Sequence, residues 1–194
     1  MEGFPDYTLG VRGNFCNGIA SGQLQFIASY VNRRNINDLI AQGGLRGEID
    51  FLSIDIDSND YHVFEAFDVV SPRVVCLEHN QNYTPGIEWV MPYNEEYRWD
   101  PHGGTVDYGT SISSMAALAE RKGYRLVGCG PYSASGFYVR TDLVTDHFTG
   151  PFTPERLFNP MDYSTIIRFP VTVIAPPPSA TRGGLWQRLR RLWT

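Results

Sequence analysis

Apolar side chains along this chain fall into short runs of two different periods, and the alternation of those periods lays out its elements. Phe51, Leu52, Ile54 and Ile56 make a strand-length run over residues 49–56, too short for a helix and rich in β-formers, which predicts a buried strand. A second run, Arg73-Val74-Val75-Cys76-Leu77-Glu78-His79-Asn80, ends like the first in polar groups. Between them Tyr61, Phe64 and Phe67 recur at helical spacing over residues 59–67, and Ser71-Pro72 closes that helix. Strand, helix and strand at this spacing predict a parallel βαβ unit.

The flanks extend the pattern. Residues 24–31 read as a strand, and Asn35 or Asn37 is placed to cap a short helix through Ile36, Leu39 and Ile40 that stops at Gly43-Gly44. Residues 81–108 form a long loop rich in Tyr, Trp, Pro and Asn, the composition of a lid or binding loop. A helix over residues 110–122 follows, with Ile112, Met115, Ala116, Leu118 and Ala119 as its apolar stripe. Residues 124–128 and 136–140 predict an antiparallel closing pair, and a weaker strand signal lies at 171–174. The expected body spans residues 1–175. Residues 176–184 are a Pro/Gly linker, and residues 185–194 a basic amphipathic tail with Leu185, Trp186, Leu189, Leu192 and Trp193 on one face.

Composition narrows the class. At 194 residues, 42% hydrophobic and 19% charged, the chain is an ordinary globular domain able to bury a core. Its formal charge is -5, and Arg182, Arg188, Arg190 and Arg191 all lie in the tail region. The body therefore carries the acidic excess, which argues against a nucleic-acid partner recruited by bulk charge. The tail suits a membrane surface or a protein groove instead. Cys16, Cys76 and Cys129 have neither CxxC spacing nor proximity in sequence, so a disulfide framework or zinc site is not expected and a reducing cytoplasm is. No apolar run reaches the length of a membrane span.

The chemistry concentrates where the two central strands end. Asp55-Ile56-Asp57 and Glu78-His79-Asn80 should meet on one rim, because a buried strand can place carboxylates only at its exit and adjacent parallel strands exit together. Close carboxylates repel, so the arrangement requires a cation, hydrogen-bond donors or a shifted pKa. Three outcomes are open: a divalent metal on oxygen ligands, a general base raised toward neutral pH, or contacts to a polar ligand. A plainer role is also open, in which Asp57 and Asn59 cap the following helix and Asp60 favours its dipole. His62 reads as the solvent side of that helix; His102 and His147 have no partner legible in the sequence.

The blocks Glu48 to Tyr61, Pro72 to Asn80, Tyr108-Gly109-Thr110-Ser111 and Arg121 to Gly128 resemble the later half of FkbM-like, class I S-adenosylmethionine-dependent methyltransferases, over residues 35–140. The resemblance implies a Rossmann-like α/β fold: a mostly parallel sheet with an antiparallel closing pair, here without its first strand. It implies Glu2, Asn35 and Ile36 as contacts to S-adenosylmethionine, and Asp55, Asp57 or His79 as the base that takes a hydroxyl proton. Asn59, Asp60, Glu78 and Asn80 would then face a sugar or small-metabolite acceptor. Met1-Glu2-Gly3 resembles the end of the second strand, which puts the first strand and its glycine-rich turn upstream of Met1. No such turn is present: Gly10, Gly13, Gly18 and Gly22 follow no apolar strand. Ser58 stands where relatives usually carry Gly, and His79 where Tyr is common. An open sheet edge of this kind asks for a cover, from a homo-oligomer or from residues 9–15 rebuilding the strand.

The expected function is therefore O-methylation of a sugar or small-metabolite hydroxyl. Two other classes stay open: a non-catalytic binding domain descended from such an enzyme, and a metal-dependent glycosyltransferase using Asp55-Ile56-Asp57 as a D-x-D motif.

Overall fold

Two runs of β-forming residues flanking one short amphipathic helix do form the centre of the molecule. The computed structural model describes residues 4–100, 106–131 and 134–160. Backbone contacts divide the chain into a unit over Met1–Met161 and another over Asp162–Thr194. The second unit, with the 171–174 strand signal, the linker and the tail, lies outside the described residues, as do Glu2 and His102.

Strand β1 (Gly47–Ile54) leads through helix α4 (Asp60–Ala66) to β2 (Val70–Glu78), with α1 (Phe4–Asn14), α2 (Cys16–Ala20) and α3 (Ile36–Gln42) before it. Helix α5 (Ile112–Arg121), strands β3 (Tyr124–Cys129) and β4 (Ser135–Arg140), and α6 (Pro154–Leu157) follow. The four strands form one open mixed sheet in the order β1-β2-β4-β3. β1 and β2 are parallel, with Leu52 beside Val75 and Ile54 beside Leu77. β4 runs antiparallel to both β2 and β3. The sheet thus has one parallel pair where a mostly parallel sheet was expected.

The core lies on one face. Ile54, Val75, Leu77, Leu126 and Tyr138 pack with Val63 and Phe64 of α4 and with Ile112, Met115, Leu118 and Ala119 of α5. Lys122 ties the two helices together, its ammonium donating to the carbonyls of Glu65 and Phe67 at the end of α4, where helical carbonyls lack partners. The other face is open: Phe51 is 53% and Phe137 39% exposed. β1 is accordingly half-exposed and not the fully buried strand its apolar run predicts, because no described element covers its second face or its outer edge.

Two further expectations fail. Residues 24–31 form no strand, since an apolar stretch becomes a strand only where a neighbour supplies ladder bonds and none runs beside them. Residues 9–15 do not rebuild one either, because residues 4–14 are helical.

Candidate functional site

The site grows from the way β1 ends. After Ile54 the chain passes Asp55 and Ile56, then turns at Asp57, whose φ of 60° is left-handed and is the one such value at a non-glycine residue among the described residues. Asp tolerates this region better than most side chains because its short polar side chain can hydrogen-bond locally to the backbone. Asp60, buried at the start of α4, holds the turn: its carboxylate accepts the Ile56 N–H at 2.9 Å and the Ser58 N–H at 3.0 Å.

One carboxylate oxygen from each of Asp55, Asp57 and Glu78 lies within 4.8 Å of the others. The two central strands therefore deliver their acidic tips to one rim. Glu78 is pushed up to about 8, first by burial and then by the charges of Asp60, Asp55 and Asp57, with the Asp57 N–H opposing the rise. Burial raises Asp60 to about 6 against the pull of its backbone donors. Asp55 is raised by partial burial and by Asp57. Such a cluster stores a proton near neutral pH, and it equally supplies three oxygen donors to a divalent cation.

His79 takes a different place. Strand alternation sends it to the side opposite Glu78, where it is 2% exposed with its ring 6.4 Å from that of Phe158. Neither ring nitrogen has a hydrogen-bond partner, and burial lowers its pKa to about 4. Asn80 is also buried, and its amide serves the fold: Nδ2 donates to the carbonyls of Val106 and Tyr108 while Oδ1 accepts from the Asn82 backbone. Asn59 does not cap α4 through its side chain. It pairs with the backbone of Asn94, donating to its carbonyl at 2.8 Å and accepting its N–H at 3.3 Å. Asn35 spans the turn before α3, donating to the Tyr30 carbonyl and accepting the Asn32 N–H, both at 2.8 Å. Ile36 joins the core.

Beside the rim lies a cavity of about 410 Å³ walled by Tyr30, Asn32, Asp57, Glu95, Tyr97 and Trp99. Its size is that of a small-molecule site. The chain reaches it from three directions: the turn pinned by Asn35, the exit of β1, and the long loop after β2. That loop is stitched down by Met91 and Ser111 backbone bonds to Gly109 and Trp89. It is held also by His62, whose Nε2 lies 2.8 Å from the Met91 carbonyl, so His62 faces the loop and not open solvent. Arg98 stacks on Tyr30, 4.1 Å from the ring centroid. A larger cavity, about 540 Å³, opens among Glu88, Ser113, Glu120, Arg125 and Phe152, away from the rim carboxylates.

The aromatic wall could not be assigned residue by residue from sequence. Its signal in the sequence is the Tyr/Trp content of the long loop, and Tyr30 lies in a segment whose composition predicts a strand. Comparison with known proteins adds no relative: no family model, characterised protein or solved structure matches this chain.

Proposed function

We propose that the chain is a Rossmann-like, S-adenosylmethionine-dependent methyltransferase of the FkbM-like kind, acting on a hydroxyl of a sugar or small metabolite at the Asp55–Asp57–Glu78 rim. The observation that carries this reading is the joining of three strand-end carboxylates, within 4.8 Å of one another, to a cavity of ligand size that Asp57 also lines. The open mixed sheet, with its one parallel pair and antiparallel β4-β3 closing pair, is compatible with a Rossmann-like fold without being specific to it.

The cavity residues suit a nucleoside. Tyr30, Tyr97 and Trp99 offer faces for a planar base, and Asp57 offers acceptors for ribose hydroxyls. Asn35 acts on this pocket indirectly, by fixing the Tyr30–Asn32 backbone that forms its wall. When bound, the cofactor supplies an electrophilic methyl group. The chain's own part is to orient the acceptor oxygen and remove its proton, and a carboxylate of raised proton affinity on the rim is suited to that. Glu78, with a pKa near 8, already holds a proton at neutral pH, and Asp55 beside it, its own proton affinity raised, is the rim carboxylate left to take the one released.

Calorimetric titration with S-adenosylmethionine tests the reading: saturable heat is expected from the folded protein and none from a Trp99→Ala, Tyr30→Ala double variant. No heat from the wild type would reject the cofactor reading and leave either a non-catalytic binding module or a metal-dependent glycosyltransferase. The rim's donor set also favours a second reading, a D-x-D glycosyltransferase in which Asp55, Asp57 and Glu78 would hold a divalent cation that offsets the charge of a nucleotide-sugar diphosphate. Manganese-dependent binding of a nucleotide sugar, without binding of S-adenosylmethionine, would select it.

A further inference from the structure

We infer that Asn59 and Asp60 are positioning residues, which set the cavity's wall and the carboxylate rim against each other, Asp60 from the interior and Asn59 from the cavity wall itself. The inference deepens the proposed reading and rests on it for the identity of the ligand, though not for the geometry.

Asp60 is 1% exposed, so no ligand in the cavity reaches it. Its two carboxylate oxygens accept the N–H groups on either side of Asp57, at 2.9 and 3.0 Å. A single acceptor group that straddles a residue in this way closes the backbone around it. The residue so enclosed is the one with φ of 60°, a conformation that is strained in a side-chain-bearing residue and reverts unless neighbours hold it. The turn brings the Asp57 N–H to Glu78 and the Asp57 carboxylate to within 4.8 Å of Asp55 and Glu78. Mutual repulsion pushes that cluster apart, and the bonds to Asp60 hold the loop against it.

Asn59 lines the cavity but spends its amide on the wall. It is 7% exposed, and that amide reads the backbone of Asn94 reciprocally, as a neighbouring strand would. Asn94 opens the short segment that carries Glu95, Tyr97 and Trp99 into the cavity. Two consecutive residues thus fix both halves of the site: Asp60 the turn that bears the rim, Asn59 the segment that bears the aromatic wall. A ligand lying in the cavity is registered against the carboxylates through them.

The test uses Asp60→Asn and Asn59→Ala in the full chain, with S-adenosylmethionine as the probe and backbone amide exchange as an independent readout. Asp60→Asn keeps the size of the side chain but cannot accept both N–H groups. The amides of Ile56 and Ser58 should then exchange about tenfold faster or more, and the HN–Hα coupling of Asp57 should move away from its left-handed value. Asn59→Ala should accelerate exchange at Asn94 while leaving the Asp57 coupling unchanged. Each variant should weaken S-adenosylmethionine binding about tenfold or more. Glycine occupies the left-handed region without strain, so adding Asp57→Gly to Asp60→Asn should restore the turn, including in the case where Asp60→Asn alone does not fold. Unchanged exchange at Ile56, Ser58 and Asn94, unchanged affinity in the variants, or failure of the added glycine to restore the turn would each overturn the inference. If the wild type takes up no S-adenosylmethionine, the cofactor reading falls, and amide exchange still decides the positioning role.

Discussion

Held among acidic neighbours and largely withdrawn from water, Glu78 keeps a proton at pH 7 that a free glutamate would have lost. Asp55 beside it is exposed, which separates function from stability at that position. Asp55→Asn is expected to cut ligand binding or turnover about tenfold or more while leaving the melting temperature nearly unchanged. A large fall in melting temperature with intact binding would mark Asp55 as structural. Gly136 behaves in the opposite way. A Cβ there would stand 2.9 Å from the Tyr138 ring and 3.2 Å from Leu126. Gly136→Ala should therefore cost about 1–3 kcal/mol in denaturant unfolding, the usual penalty of overpacking a filled core. The sequence marked Asp55, Asp57 and Glu78 as rim residues because a strand exit is a local property. It gave no sign that Asp60 would turn inward to bind the loop, or that His79 would be sealed beneath Phe158, because both depend on what packs above them.

Among the elements, α5 was the most legible and shows why. Its apolar stripe at helical spacing and Gly123 beyond its end were both local signals, and Ile112, Met115, Leu118 and Ala119 are buried as that stripe requires. Its cap carries more than the helix. The Ser111 hydroxyl accepts from the Ser114 N–H and from the Trp89 N–H, both at 3.2 Å, so one side chain both starts α5 and anchors the long loop. Ser111→Ala should cost about 1–3 kcal/mol by thermal or denaturant unfolding, more than an exposed cap, because Trp89 loses a partner as well. A loss below about 0.5 kcal/mol would show that water replaces the hydroxyl. The 24–31 segment misled for the converse reason. Strand propensity reports a surface that fits a sheet, and the ladder that makes a strand must come from elsewhere in the chain.

Across the whole molecule the buried titratable groups act on stability in opposite directions. Glu78 is raised from 4.5 to about 8 and Asp60 from 3.8 to about 6, so both bind protons more tightly when folded. Their contribution is full below the unfolded values and is lost as pH rises through the folded ones. His79 is lowered from 6.5 to about 4, so its contribution is full above 6.5 and is lost as pH falls through 4. Together these groups should make stability fall as pH rises from about 4.5 to 8, the rise contributed by His79 between about 4 and 6.5 offsetting part of the loss; the step from 6.5 to 8, which Glu78 alone sets, is on the order of 2 kcal/mol. Glu78→Gln should flatten the fall, most visibly between pH 6.5 and 8, and His79→Leu should steepen it between pH 4 and 6.5, measured by unfolding across pH; a profile unchanged by either substitution would show that these groups do not titrate with folding. No helix among the described residues is long and apolar enough to cross a membrane, in line with the absence of any such run in the sequence. By itself the sequence determined the βαβ centre, the antiparallel closing pair and the acidic tips, since period, turn residues and strand exits are written in neighbouring positions. Only the tertiary structure decided that β1 is an open edge, that the aromatic wall meets the rim, and that Asp60 and His79 are interior. Those outcomes depend on which distant segments come to lie against one another, and residue order does not encode that locally.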